Sequence, residues 1–91
     1  LAGASFVGAK LTDTNLKKAD LTSADLSGVD LSWKDLRGTV LRGTGLIKAN
    51  LQGVNLQGAN LQGANLQGAK LQNANLPLPL TQKIYPPPID R

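Results

Sequence analysis

The sequence predicts an all-β solenoid, a chain wound into about four four-sided coils. Three observations carry this. Leucine occupies positions 1, 11, 16 and every fifth position to 76, with Phe6 as the one substitute, which makes sixteen consecutive pentads without an insertion. A period of five matches neither the 3.6 of an α-helix nor the 2.0 of a plain strand, so it marks a repeat architecture. Small residues recur at fixed places beside each Leu, which tells where the chain bends.

Take the central Leu of each pentad as position i. Position i−2 is usually Ala, with Thr14, Val29, Lys34, Thr39, Thr44 and Val54 as exceptions. Position i−1 is mostly Asp or Asn, from Asn15 and Asp20 through Asp35 and from Asn50 to Asn65. Position i+1 is polar and holds Gln52, Gln57, Gln62, Gln67 and Gln72. Position i+2 holds nine of the ten glycines.

In extended chain, residues two apart face the same side. Positions i−2 and i therefore point together, and i−1 and i+1 point away. The next i−2 lies three residues beyond i, an odd number, so straight chain would turn it outward. A bend must intervene at i+1 and i+2, where Gly adopts positive φ at little cost. Each pentad is thus one short extended side and one corner. A four-sided coil has room for one Leu and one Ala per side, and sixteen pentads make four coils of twenty residues. Residues twenty apart should stack in columns about 4.8 Å apart.

Ala-Asp-Leu-Thr-Ser (19–23), Ala-Asn-Leu-Gln-Gly (49–53, 59–63 and 64–68) and Ala-Lys-Leu-Gln-Asn (69–73) resemble the A(D/N)LXX motif of pentapeptide-repeat proteins. The resemblance covers residues 1 to about 78. It implies a right-handed quadrilateral β-helix with i and i−2 inside. It implies little about activity: some members of that family mimic DNA and bind type II topoisomerases, and others are fused to unrelated domains.

The chain divides into residues 1–78, the expected β-helix, and 79–91, an irregular Pro-rich C-terminal cap or linker. Prolines at 77, 79 and 86–88 cannot donate to a strand ladder and end the repeat. Leu1 already belongs to a pentad, so the chain reads as part of a larger protein or assembly. An uncapped N-terminal coil would invite end-to-end pairing of two copies. No apolar stretch approaches the twenty residues of a membrane span. Cysteine is absent, which excludes a disulfide framework and a thiolate metal site.

The inventory offers no enzyme. His, Cys, Met and Glu are all missing. Asp20, Asp25, Asp30 and Asp35 fall on four successive sides of one coil and point apart, so they cannot converge as an acid–base pair or a metal site. Neither cofactor nor metal is expected. Ten Lys and Arg against six Asp give a net charge of +4, which argues against an acidic DNA mimic. Interspersed Asp and a lack of stacking aromatics apart from Trp33 argue against nucleic-acid binding.

Two residues break the pattern beside the basic ones: Trp33 takes a corner usually given to Gly, and Lys34 takes an inward position usually given to Ala. Lys17, Lys18, Trp33, Lys34 and Arg37 form the candidate interaction patch. Lys10 is expected beside Asp30, and the Lys34 stem against Trp33 with its charge reaching solvent or Asp35. The function that follows is a non-catalytic structural or protein-interaction module, a rigid rod whose partner is another protein or a fused domain. The alternatives are a gyrase-binding DNA mimic and an anion or nucleic-acid site on the basic edge.

Overall fold

The computed structural model describes residues 1–77; the cap or linker expected at 79–91 lies outside them. Each pentad from Leu1 to Leu71 closes a β-turn in which the amide of the next i−2 residue donates to the carbonyl at i, as in Ala24 to Leu21 (3.0 Å) and Ala59 to Leu56 (3.0 Å). The corner residue at i+2 has positive φ, from 63° to 77° at nine glycines. Lys18, Ser23, Trp33, Lys48 and Asn73 adopt the same conformation at φ 59–64°, although a Cβ makes it costly by about 1 kcal/mol.

The i−1 side chains lock these corners from outside. The Oδ1 of Asn15, Asp20, Asp25, Asp30, Asp35, Asn50, Asn55, Asn60 and Asn65 accepts the amide N–H two residues on, at 3.0–3.2 Å. Asp or Asn at this place therefore serves the turn that follows it.

Successive coils pair in parallel at a spacing of twenty residues, as in Asp20 with Val40, Val40 with Asn60, and Asn55 with Asn75. Per side, the Leu amide donates to the coil above (Leu41 to Asn60 O, 2.7 Å) and the i−1 amide to the coil below (Asn60 to Thr39 O, 2.9 Å). Inside stand the Leu columns, with Leu36, Leu51 and Leu56 at most 1 % exposed, filled between by Ala24, Ala49, Ala59, Ala64, Val29 and Val54. Two threonines share this interior with their hydroxyls bonded: Thr39 Oγ1 donates to Leu36 O (2.8 Å) and Thr44 Oγ1 to Leu21 O (2.7 Å). Their burial leaves no buried polar side-chain atom without a partner among the described residues.

The stack opens at one place. The first coil bonds to the second at Gly3 and Phe6 and again from Lys18 onward. Between these points, among the described residues, no bridge joins Lys10 to Asp30 or Asn15 to Asp35. Asp13 is the corner residue here, and alone among the described corners it lacks a positive φ. A turn closed without positive φ at its third residue has its central peptide flipped relative to its neighbours. The flip turns the Thr12 carbonyl, in place of the Asp13 N–H, toward the second coil. Lys34 occupies the gap: its Nζ donates to Thr14 O at 2.7 Å and to Thr12 O at 3.4 Å. The expectation that this charge reaches Asp35 is corrected, because Asp35 is engaged by Arg37; the Nζ meets two carbonyls instead, at an exposed position that leaves it open to solvent. The expected Lys10–Asp30 neighbour pair is corrected too, since it falls on the open side.

Candidate interaction edge

The five residues singled out in the sequence lie on two adjoining corners. The first corner carries Lys17 and Lys18 in one coil and Arg37 in the next. Lys18 N donates to Arg37 O at 3.0 Å, which fixes the two corners in register. Arg37 turns back onto its own side: Nε reaches Asp35 Oδ1 at 2.8 Å and a second guanidinium nitrogen reaches Oδ2 at 2.7 Å. This fork holds the Asp35 carboxyl down at about 2, with the guanidinium hydrogen bond the largest cause and the Lys17 charge a smaller one. Both partners are about half exposed, so the pair adds little stability. Its effect is to offset the Arg37 charge and leave Lys17 and Lys18 as the corner's uncompensated cations.

The second corner carries Trp33 and Lys34. The Trp33 side chain is 68 % exposed. Its indole lies over the corner above, so close that a Cβ on Gly53 would fall within 2.2–2.5 Å of three ring atoms. One face of the ring therefore rests on the Gly53 backbone, and much of the remaining ring is open to solvent. Lys34 turns away from Trp33 into the seam below. The side chains of these two residues run in different directions, the indole to the corner above and the Lys34 Nζ to the carbonyls below.

Beneath Trp33, where the first two coils part, is a cleft of about 410 Å³. Its lower lip is Thr12, Asp13, Thr14 and Asn15, and its upper lip is Ser32, Trp33, Lys34 and Asp35. Sequence reasoning missed it. The available signal was Asp13 standing at a Gly corner directly below Trp33, which is itself at a Gly corner.

Asp20, Asp25 and Asp30 do not converge. Each accepts hydrogen bonds from the residue two positions on, Thr22, Ser27 and Ser32, and these bonds lower their pKa values. Among the described residues no helix is long and apolar enough to cross a membrane.

The family model for pentapeptide repeats matches residues 4–43 and 41–77 in eight copies. This chain belongs to the pentapeptide-repeat family. It is similar to a pentapeptide repeat protein from the Arabidopsis thaliana thylakoid lumen, 31 % identical over 81 % of this chain and 62 % of that one, with a TM-score of 0.63. It is also similar to HetL from the cyanobacterium Nostoc, a pentapeptide repeat protein involved in heterocyst differentiation regulation, 29 % identical over 99 % of this chain and 55 % of that one, with a TM-score of 0.53. The chain thus spans roughly three fifths of the length of these relatives. No curated protein matches it in sequence. These neighbours identify the architecture as the right-handed β-helix of pentapeptide-repeat proteins, a family of generally non-enzymatic structural and interaction modules.

Proposed function

We propose that this pentapeptide-repeat chain is a rigid interaction rod of about four quadrilateral coils, closed by the Pro-rich 79–91 segment as cap or linker. It holds a protein partner or a fused domain against the edge formed by Lys17, Lys18, Trp33, Lys34 and Arg37. The observation that supports this most directly is Trp33, a large aromatic held 68 % exposed at φ 63° on a corner where Gly is usual. Exposed aromatics beside cations are the composition of binding hot spots.

Retention of a partner by the immobilised chain tests the reading. The double charge reversal K17E/K18E and the corner reversion W33G should each reduce retention at least tenfold while the fold persists. Retention unchanged by both places binding elsewhere on the rod. The DNA-mimic alternative is disfavoured by the +4 charge; inhibition of gyrase supercoiling that survives high salt would revive it.

A further inference from the structure

We propose that the cleft between the first two coils binds a neutral saccharide, with Trp33 as its stacking platform. This goes beyond the rod's protein contacts; it shares Trp33 with the proposed edge but not Lys17 and Lys18, so K17E/K18E separates the failure of one reading from the failure of the other.

Three features define the ligand chemistry. The platform is flat and fixed: the indole rests on the Gly53 backbone, where even a methyl group would collide with it, and its open part is the kind of apolar ring face that packs against the C–H face of a pyranose. The lining residues carry short polar groups: the hydroxyls of Thr12 and Thr14, the Asp13 carboxylate, the Asn15 amide with its Oδ1 on the Lys17 N–H, the Ser32 hydroxyl that donates to Asp30, and the Asp35 carboxylate forked by Arg37. Carboxylates accept paired hydroxyl donors, and amides and hydroxyls both donate and accept.

Backbone groups add to this. The Thr14 carbonyl is taken by Lys34, so among the described residues the Asp35 N–H and the Ser32 C=O have none of the ladder partners that the coils above supply. Both belong to residues lining the cleft and are free to meet a ligand.

The charges decide against an ionic ligand. The lining holds Asp13, Asp35 and Lys34, and Arg37 and Lys17 act on Asp35 from outside it, so no one sign of charge dominates. Lys34 is bound to carbonyls and Arg37 to Asp35, so neither cation is presented to an anion. A cleft of about 410 Å³ lies at the lower end of the range for small-ligand pockets and, being open at its mouth, admits a ring within a chain.

The test uses the full chain and three neutral probes: maltohexaose, cellohexaose and mannohexaose. Trp33 is the only tryptophan, so its fluorescence reports on the site directly. At least one probe should give a saturable shift with a dissociation constant of roughly 0.01–1 mM, unchanged between low and high salt. By calorimetry, W33G should weaken binding at least tenfold; the substitution restores the usual corner residue and keeps the fold. The pair D13G/K34A should close the seam, seen as new amide-exchange protection at Asp35, and reduce binding to the same degree. Absence of saturable binding with all three probes overturns the proposal. So does binding that survives W33G, or that persists in a D13G/K34A chain whose seam has closed. Preferential, salt-sensitive binding of a sulfated glycan, or displacement of the sugar by an extended peptide, assigns the cleft to another ligand class.

Discussion

Gly53→Ala separates two energies that usually arrive together at a Gly corner. Gly53 has φ +69°, and Gly58, one pentad later, has φ +73°. A Cβ at either position is strained by the backbone alone, at about 1 kcal/mol. At Gly58 the nearest atom to an added Cβ is Gly38 N at 3.8 Å, ordinary contact. At Gly53 the added Cβ would sit 2.2 Å from Cε3 of Trp33. Backbone strain is shared; the collision with indole is not.

Trp33 is 68 % exposed, so the ring has room to swing off. What it forfeits is the surface now covered, about a third of a side chain that offers roughly 150–250 Å². At about 25 cal/mol per Å² that is about 1–2 kcal/mol. Gly58→Ala should therefore lower unfolding stability by about 1 kcal/mol, and Gly53→Ala by about 2–3 kcal/mol. Urea denaturation with a common slope measures both. In a W33G background the two substitutions should become equal, since the ring is gone. Equal costs in the unmodified chain would refute the seating of the indole on Gly53.

The interior makes a second prediction: Leu36→Ala, at a site 1 % exposed, should cost about 2–5 kcal/mol, and a value below about half a kcal/mol would remove Leu36 from the core. Thr44→Val should cost about 1 kcal/mol, because it deletes the buried hydroxyl donor to Leu21 O; a gain in stability would mean that bond contributes nothing. Asp20, Asp25, Asp30 and Asp35 have lowered pKa values in the fold, so their contribution is complete above the unfolded carboxyl value and is lost as pH falls through the folded values, Asp35 last at about 2. Stability followed by circular dichroism should be flat near neutrality and fall below about pH 4, and Arg37→Ala should move the last part of that loss to higher pH; an unchanged acid limb would show that the Arg37 fork does not hold Asp35.

The coil was legible because a single spacing encodes it. Five residues per side leave no freedom in which side chains enter, and Leu16, Leu36 and Leu56 are all buried in one column as the register requires. The Asp and Asn at i−1 were legible in kind, as local acceptors, because a short carboxamide or carboxylate beside a turn has a free amide within reach. Which corners would tolerate a Cβ was less visible. Lys18, Ser23, Trp33, Lys48 and Asn73 all hold positive φ, since the ladder to a neighbouring coil enforces the shared turn against the preference of the residue.

The open seam shows why the rest could not be read pentad by pentad. Asp13 tolerates positive φ better than Trp or Lys does, yet it is the corner that turns the other way. Local preference therefore does not decide it. The deciding partner is twenty-one residues on, where Lys34 places a cation at an inward position. Left inside without acceptors, that ammonium would be costly. Flipping the 12–13 peptide turns a carbonyl toward it, and parting the coils gives it Thr14 O as well. The ladder bonds lost along this seam are the counterweight. Asp13 and Lys34 are thus one feature: replacing Lys34 alone leaves the flipped corner without its cation, and replacing Asp13 alone leaves the cation without Thr12 O. D13G/K34A should be more stable than the two single effects added together, by about 0.5–3 kcal/mol of coupling. Strict additivity would mean that the flip and the lysine arise independently, and the causal account of the seam would be wrong.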